Sequence, residues 1–252
     1  MKKIFFIAAL FVGVSIFSSC DIIDDPVIPI NLSYNEELYG PAPTFGPPSS
    51  TTRNALLEDF TAHQCGNCPS AANIADDLKD QYGESVVLMA IHAGSLADFN
   101  DVDPFSTDWT NDVSELFFSQ LDFQANPLGR VNRYPNQGNI LSPSEWGDNI
   151  ASQVSEQAEV NLQMIVSHEA DNNHVNIHVN GQFAEAVPGE LKLTVLVLES
   201  HMIDYQLDYD SDPEIIADYE HNHVLRGPVN AAEGLNFSTD AAAGDEVQKD
   251  YT

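Results

Sequence analysis

The residues best suited to chemistry are two cysteines in "TAHQCGNCPSAANIADDLKDQYG", Cys65 and Cys68. A Cys-x-x-Cys pair can help hold a metal, staple a turn, or exchange disulfides. Structural zinc takes four ligands, normally two such pairs or one pair with histidines at fixed spacing, and the sequence has no second pair. A disulfide across two residues closes a very small loop, so it restricts the unfolded chain little. Exchange needs a thiolate, and a helix N-terminus stabilises one through its free amides and dipole. The following residues supply that helix: Ala71, Ala75, Leu78 and Tyr82 fall on one face, Pro69 is tolerated in a first turn, and Gly83 sits where a helix stops. In this reading Cys65 is the nucleophile and Cys68 the resolving thiol. His63 either lowers the thiol pKa as a cation or is an ordinary exposed loop histidine.

Other elements must position the pair. "NALLEDF" before it and "SVVLMAIH" after the helix read as buried strands, giving a βαβ unit with a parallel pair. A Cys-x-x-Cys between such a strand and helix is where a thioredoxin-like motif belongs. Residues 94–120 read as an insertion with a helix at "DVSELFFSQL". "NPLGRVNRY" predicts a strand after a turn, and "SPSEWGDNIASQVSEQ" a helix capped near Ser142 or Ser144. From about residue 158 the apolar period becomes two, through Val160, Leu162 and Met164 and through Val175, Ile177 and Val179, with a hairpin signal at "DNN" between them. The fold class expected is an α/β thioredoxin-like domain, residues 53–157, followed by an all-β sandwich-like domain, residues 158–252. Only three strong strands are visible in the second, so the chain reads as C-terminally truncated or completed by a partner.

The N-terminus begins with Lys2 and Lys3, an apolar run and small residues, the pattern of a secretory signal over 1–19. Its end, "FSSC", resembles a bacterial lipobox, which makes Cys20 the lipidated mature N-terminus and removes it from the disulfide arithmetic. Residues 20–52, rich in proline, read as a tether. The compartment is outside the cytoplasm, where disulfides persist. Nine Lys and Arg against 39 Asp and Glu give a net charge of −30, which repels nucleic acid.

Two resemblances follow from these residues. "LLEDFTAHQCGNCPSA" looks like a thioredoxin active-site segment. That resemblance implies a proton-relay role for Asp59, six residues before Cys65, and a cis-proline at Pro127 that lines the substrate loop. Gln64 stands where thioredoxins usually carry tryptophan. More broadly, the lipobox with "LEDFTAHQCGNCPSAA", "AIHAG", "NPLGRVNR", "LES" and "HNHVLRG" resembles the outer-membrane-protein-twenty-eight-related lipoprotein family. The resemblance implies an envelope protein, lipid-anchored to the outer membrane on its periplasmic or outer face, with a thioredoxin-like domain ahead of a β-sandwich.

Three further clusters have weaker claims. His221 and His223 in "HNHVLR" are spaced to share a strand face, as a metal pair or, with Arg226, as a polar contact between domains. Asp208, Asp210 and Asp212 alternate as in calcium loops, but Pro213 stands where the loop glycine belongs. Arg130 and Arg133 attract an acidic substrate or pair with acids. The function expected is thiol–disulfide exchange with exported protein thiols or disulfides, with no cofactor. The alternatives are a surface binding or assembly protein using the fold as scaffold, and copper handling by Cys65, Cys68 and His63.

Overall fold

The computed structural model describes residues 33–48, 51–169 and 174–252. The signal segment, Cys20 and the "DNN" turn lie outside them. Residues 33–252 belong to one compact unit.

β1 (Ala55–Thr61), α2 (Cys68–Tyr82) and β2 (Val86–His92) form the βαβ unit, after a short α1 (Glu36–Tyr39). β1 and β2 are parallel, from Ala55 opposite Val86 to Thr61 opposite His92. α3 (Asp112–Ser119) follows, its first turn closed by a capping box from Asn111. β3 (Leu128–Val131) runs antiparallel to β1, with Gly129 opposite Asp59. Ser142 and Glu145 make a reciprocal capping box just ahead of α4 (Trp146–Val154). One face of the sheet packs Leu57, Val86 and Leu88 against α2 and α4, with Trp146 and Ile150 fully buried. The other face packs Phe60, Met89 and Ile91 against Val113, Phe117 and Phe118 of α3.

The remaining residues form β4 (Val160–Glu169), β5 (His174–Phe183), β6 (Val187–Leu193), β7 (Leu196–Glu199), β8 (Met202–Leu207), β9 (Ile215–His221), β10 (Val224–Pro228), β11 (Leu235–Ala241) and β12 (Glu246–Tyr251). β12-β5-β4 is one antiparallel sheet and β11-β6 a ribbon; Val179, Phe183, Leu193, Phe237 and Tyr251 join them in a sandwich-like core. The chain is thus mixed α/β with a sandwich-like β region.

Three features depart from the periodicity. The first sheet has the order β3-β1-β2-β10-β7, so residues expected in the second domain complete it across the boundary drawn at 157/158. Without β10, the edge of β2 would leave a row of backbone groups unpaired; Ala90 N–H instead donates to His223 C=O at 2.9 Å. β4 is an edge strand: Leu162 and Met164 share the sheet face of Gly181 and Val179 yet remain 57% and 62% exposed where the core ends, while Asn161 on the opposite face is buried. The polar face of β5 (Asn176, His178, Asn180) is buried as well. Residues 33–48, expected as tether, lie against that sheet: the Tyr34 ring meets His178 edge-on at 4.7 Å, and Gln248 donates to Pro43 C=O at 3.3 Å.

Candidate functional site

β1 delivers Asp59 inward and then ends, and the loop 62–67 carries the first cysteine to the mouth of α2. Cys65 and Cys68 are disulfide-bonded, their Cα atoms 5.4 Å apart. Cys68 is the first residue of α2 rather than one turn inside it, and its N–H donates to Cys65 C=O at 3.1 Å. Both cysteines are buried, Cys65 at 3% exposure and Cys68 at 2%. An attacking cysteine is expected at the surface; these two pack with Ala62 and Ala97, and the end of β8 lies against the loop that carries Cys65.

β8 and β9 pair with each other and with no other named strand. The end of β8 lies along the cysteine loop. Leu207 N–H donates to His63 C=O at 2.8 Å and Tyr209 N–H to Gly66 C=O at 2.9 Å. The Gln206 amide donates to the carbonyls of Ala62 at 3.3 Å and Cys65 at 3.2 Å. The Tyr209 ring rests on Gly66, where an added Cβ would come within 2.5 Å of it.

Beneath the disulfide is a small cavity of about 70 Å³, lined among others by Asp59, Cys68, Asp76, His92, Tyr219 and His221. A cavity of this size and polarity admits water. Asp59 is fully desolvated; burial pushes its carboxyl from an ordinary 3.8 up to about 7, and the Asp76 charge adds to the rise. One Asp59 oxygen has no hydrogen-bond partner among the described residues, nor do His92 Nδ1 and His221 Nε2. Burial lowers His221 from 6.5 to about 4 and holds His92 well below 6.5, so both imidazoles are neutral at pH 7. Burial, with Asp76, Asp59 and Asp208, raises Tyr219 to about 12. His221 also stacks near Trp109, ring centroids 4.7 Å apart, and meets His92 at 5.4 Å.

The sequence-predicted residues are distributed as follows. Cys68 and Asp59 line one cavity, and Cys65 is bonded to its wall. Pro127 follows a cis peptide bond at the start of β3, and the Asn126 amide ties that loop to Thr61 C=O at 2.9 Å. His63 is fully buried, not exposed; its Nε2 donates to Asp98 C=O at 2.9 Å. His221 and His223 both line the cavity, while Arg226 pairs outward with Glu199 at 3.3 Å. Asp208 and Asp210 are engaged with Ser211 and Ser70. Arg130 and Arg133 both pair with the buried Glu58. No group of three or more His, Cys, Asp or Glu is placed to hold a metal among the described residues. Sequence reasoning missed His92, Gln206, Tyr209 and Tyr219. His92 ends an apolar strand in register with the end of β1, a signal available from the parallel pairing alone. The other three arrive from a hairpin about 140 residues on, and no local pattern announces that.

The profile of outer membrane protein Omp28 matches residues 115–252, more than half of the chain. The chain belongs to the Omp28 family. No helix among the described residues is long and apolar enough to cross a membrane, and the family association is with the outer membrane. Among solved structures, HBP35 of Porphyromonas gingivalis resembles the fold at TM-score 0.58 and 19% identity, over 80% of this chain and 64% of that one. The chain therefore spans less than two thirds of that protein's length. A crystal structure of a protein from Agrobacterium tumefaciens is more distant, at TM-score 0.47 and 12% identity over 80% of each chain. No curated protein matches the sequence.

Proposed function

We propose that this Omp28-family protein is a lipoprotein anchored through Cys20 that exchanges disulfides with exported proteins through Cys65 and Cys68. The observation that carries the reading is a helix-start disulfide above a buried carboxyl whose pKa is about 7. A parallel β1–α2–β2 unit with β3 antiparallel to β1, Pro127 leading into it, supports a thioredoxin-like fold for this half.

The chemistry balances without a cofactor. A thiolate of the exported partner attacks Cys65 Sγ, forming the mixed disulfide and breaking the Cys65–Cys68 bond. The electron pair leaves on Cys68 Sγ, which takes a proton from the Asp59 carboxyl. In the reducing direction the Cys65 thiolate attacks a disulfide of the partner and expels one partner sulfur as a thiolate; the Asp59 carboxylate then takes the proton from Cys68, and the Cys68 thiolate attacks Cys65 Sγ, closing the Cys65–Cys68 bond and expelling the second partner sulfur as a thiolate. In the oxidising direction a second partner thiolate attacks the partner sulfur of the mixed disulfide and expels Cys65 as the thiolate. A group titrating near 7 serves both directions near neutral pH, since a thiol titrates at about 8.5. The direction of net electron flow depends on the partner's potential.

The test is a pair of single variants with a disulfide-bonded peptide as substrate. Cys65→Ser is expected to abolish exchange. Cys68→Ser is expected to trap a mixed disulfide on Cys65, visible by mass. Exchange that survives in Cys65→Ser contradicts the proposal.

A second reading has one observation in its favour. Both cysteines are buried, as in a scaffold whose disulfide is permanent. Co-purification with a stable partner, unaffected by loss of both thiols, would favour it.

A further inference from the structure

The way β8 and its continuation lie on the cysteine loop resembles a bound peptide more than a packed core strand. Two backbone N–H groups, of Leu207 at the end of β8 and of Tyr209 in the turn that follows, donate to carbonyls of the loop that holds Cys65. Backbone donors laid on open loop carbonyls are the kind of contact an incoming peptide makes. Side chains complete the grip. Gln206 reaches two loop carbonyls, the Tyr209 ring occupies the space that Gly66 leaves without a Cβ, and Asp210 accepts from Ser70 Oγ of α2 at 2.8 Å. Yet the hairpin is not sewn into a larger sheet, and an isolated two-stranded hairpin is marginally stable. Its entry and exit run side by side: His201 N–H donates to Asn222 Oδ1 at 2.9 Å, and His223 N–H to Ser200 Oγ at 3.0 Å. His201 (φ 64°) and His223 (φ 58°) are both left-handed, so the chain turns sharply at both ends of the hairpin. Ile203 and Tyr209 remain more than half exposed on it.

We infer that Gln206–Tyr209 occupies the edge on which the exchange partner docks, and that an extended polypeptide segment with an aromatic side chain over Gly66 reaches Cys65 by displacing it. This rests on the exchange reading above. The hairpin is then a built-in competitor. It holds the disulfide closed to small thiols and yields to a peptide that makes the same two backbone hydrogen bonds. Lifting it would also withdraw His221 from the cavity and open that cavity to bulk solvent.

The experiment uses residues 33–252, with dithiothreitol as a small reductant and a peptide carrying one cysteine thiol and an aromatic residue as partner. Rates of disulfide reduction are compared for wild type, Tyr209→Ala, Gln206→Ala and the milder surface change Ser70→Ala. Circular dichroism confirms the fold of each. The inference expects reduction by dithiothreitol about tenfold faster in Gln206→Ala, the loss of about one hydrogen bond's worth of closure, a gain of similar size in Tyr209→Ala from loss of the ring's packing on Gly66, and a smaller gain in Ser70→Ala. Native-state hydrogen exchange is expected to show the Leu207 and Tyr209 amides opening locally, at the rate that limits reduction. Unchanged reduction rates in folded variants, with those amides exchanging only through global unfolding, would overturn the inference while leaving peptide exchange intact. Faster access with no peptide exchange in any variant would instead overturn the exchange reading and the docking role with it.

Discussion

In the proposed exchange Asp59 is the residue that moves the proton, and its burial has a cost that can be measured. Folded, its carboxyl titrates at about 7; unfolded, near 3.8. Between those values the folded state keeps a proton that the unfolded chain releases, so stability falls as pH rises from about 4 to about 7. His221 runs the other way. Its folded pKa of about 4 lies below the ordinary 6.5, so the unfolded chain binds the proton first and stability falls as pH drops from 6.5 toward 4. Asp59→Asn is therefore expected to stabilise the protein at pH 8 by roughly 2–4 kcal/mol, to leave the acid-side loss in place, and to slow peptide exchange. Thermal melts across pH 4–8, paired with exchange rates, check both halves. Equal melting temperatures at pH 8 would show that Asp59 carries no buried-charge cost. The spacing of Asp59 from Cys65 was legible in the sequence through its resemblance to a thioredoxin segment. The neutral histidines beside it were not, because their burial depends on strands from distant positions.

At the scale of elements, β1 and β3 are joined by a charged cross-strand pair. Glu58 stands opposite Arg130, whose Nε and Nη2 donate to the two carboxylate oxygens at 2.6 and 3.0 Å, and both side chains are fully buried. Arg133 adds further bonds to the same carboxylate and lies 4.3 Å from the centre of the Phe117 ring. Removing one partner of such a pair leaves an uncompensated buried charge, so Glu58→Gln is expected to cost about 3–5 kcal/mol in urea unfolding. A cost below about 1 kcal/mol would mean that solvent reaches Arg130. Gly129, next to it on β3, has no room for a Cβ, which would lie 2.6 Å from the Trp146 ring nitrogen. Gly129→Ala should therefore lower the melting temperature by pushing α4 off the sheet. The elements around the cysteines were legible because each carries its own signal: a buried-strand run, a four-three-four helical face, a capping serine. On β4 and β5 alternation located the strands and the face that carries Val160, Ile177 and Val179 into the core, but gave no sign that the opposite, polar face is buried too. Residues 33–48 cover part of the polar face, and periodicity says nothing about a segment arriving from another part of the chain.

As a whole molecule, the protein has a first half that is incomplete without its second. β10 and β7 finish the sheet begun by β1 and β2, and Leu225 of β10 is buried with Phe60, Met89 and Phe117. Residues 53–157 alone are therefore expected to fail to give a cooperative melt, whereas residues 33–252 unfold in one transition. An independently folded fragment with dispersed amide resonances would restore the simple two-domain division. The sequence pointed to a boundary at 157/158 because the hydrophobic period changes there. The sheet ignores that change, since a strand can return to an open edge from any distance along the chain. The strong negative charge is spread over the whole chain and marks a solvated surface rather than the site.

The central claim is that the Cys65–Cys68 disulfide turns over. The most direct test is its reduction potential, measured on residues 33–252 by equilibration against thiol buffers, with alkylation of Cys65 as the readout. The account predicts a potential of about −120 to −270 mV, the range of proteins that exchange disulfides, and a Cys65 thiol that alkylates once reduced. A potential below about −300 mV, together with a Cys65 that stays unreactive after reduction, would contradict it and leave a structural disulfide in a binding scaffold.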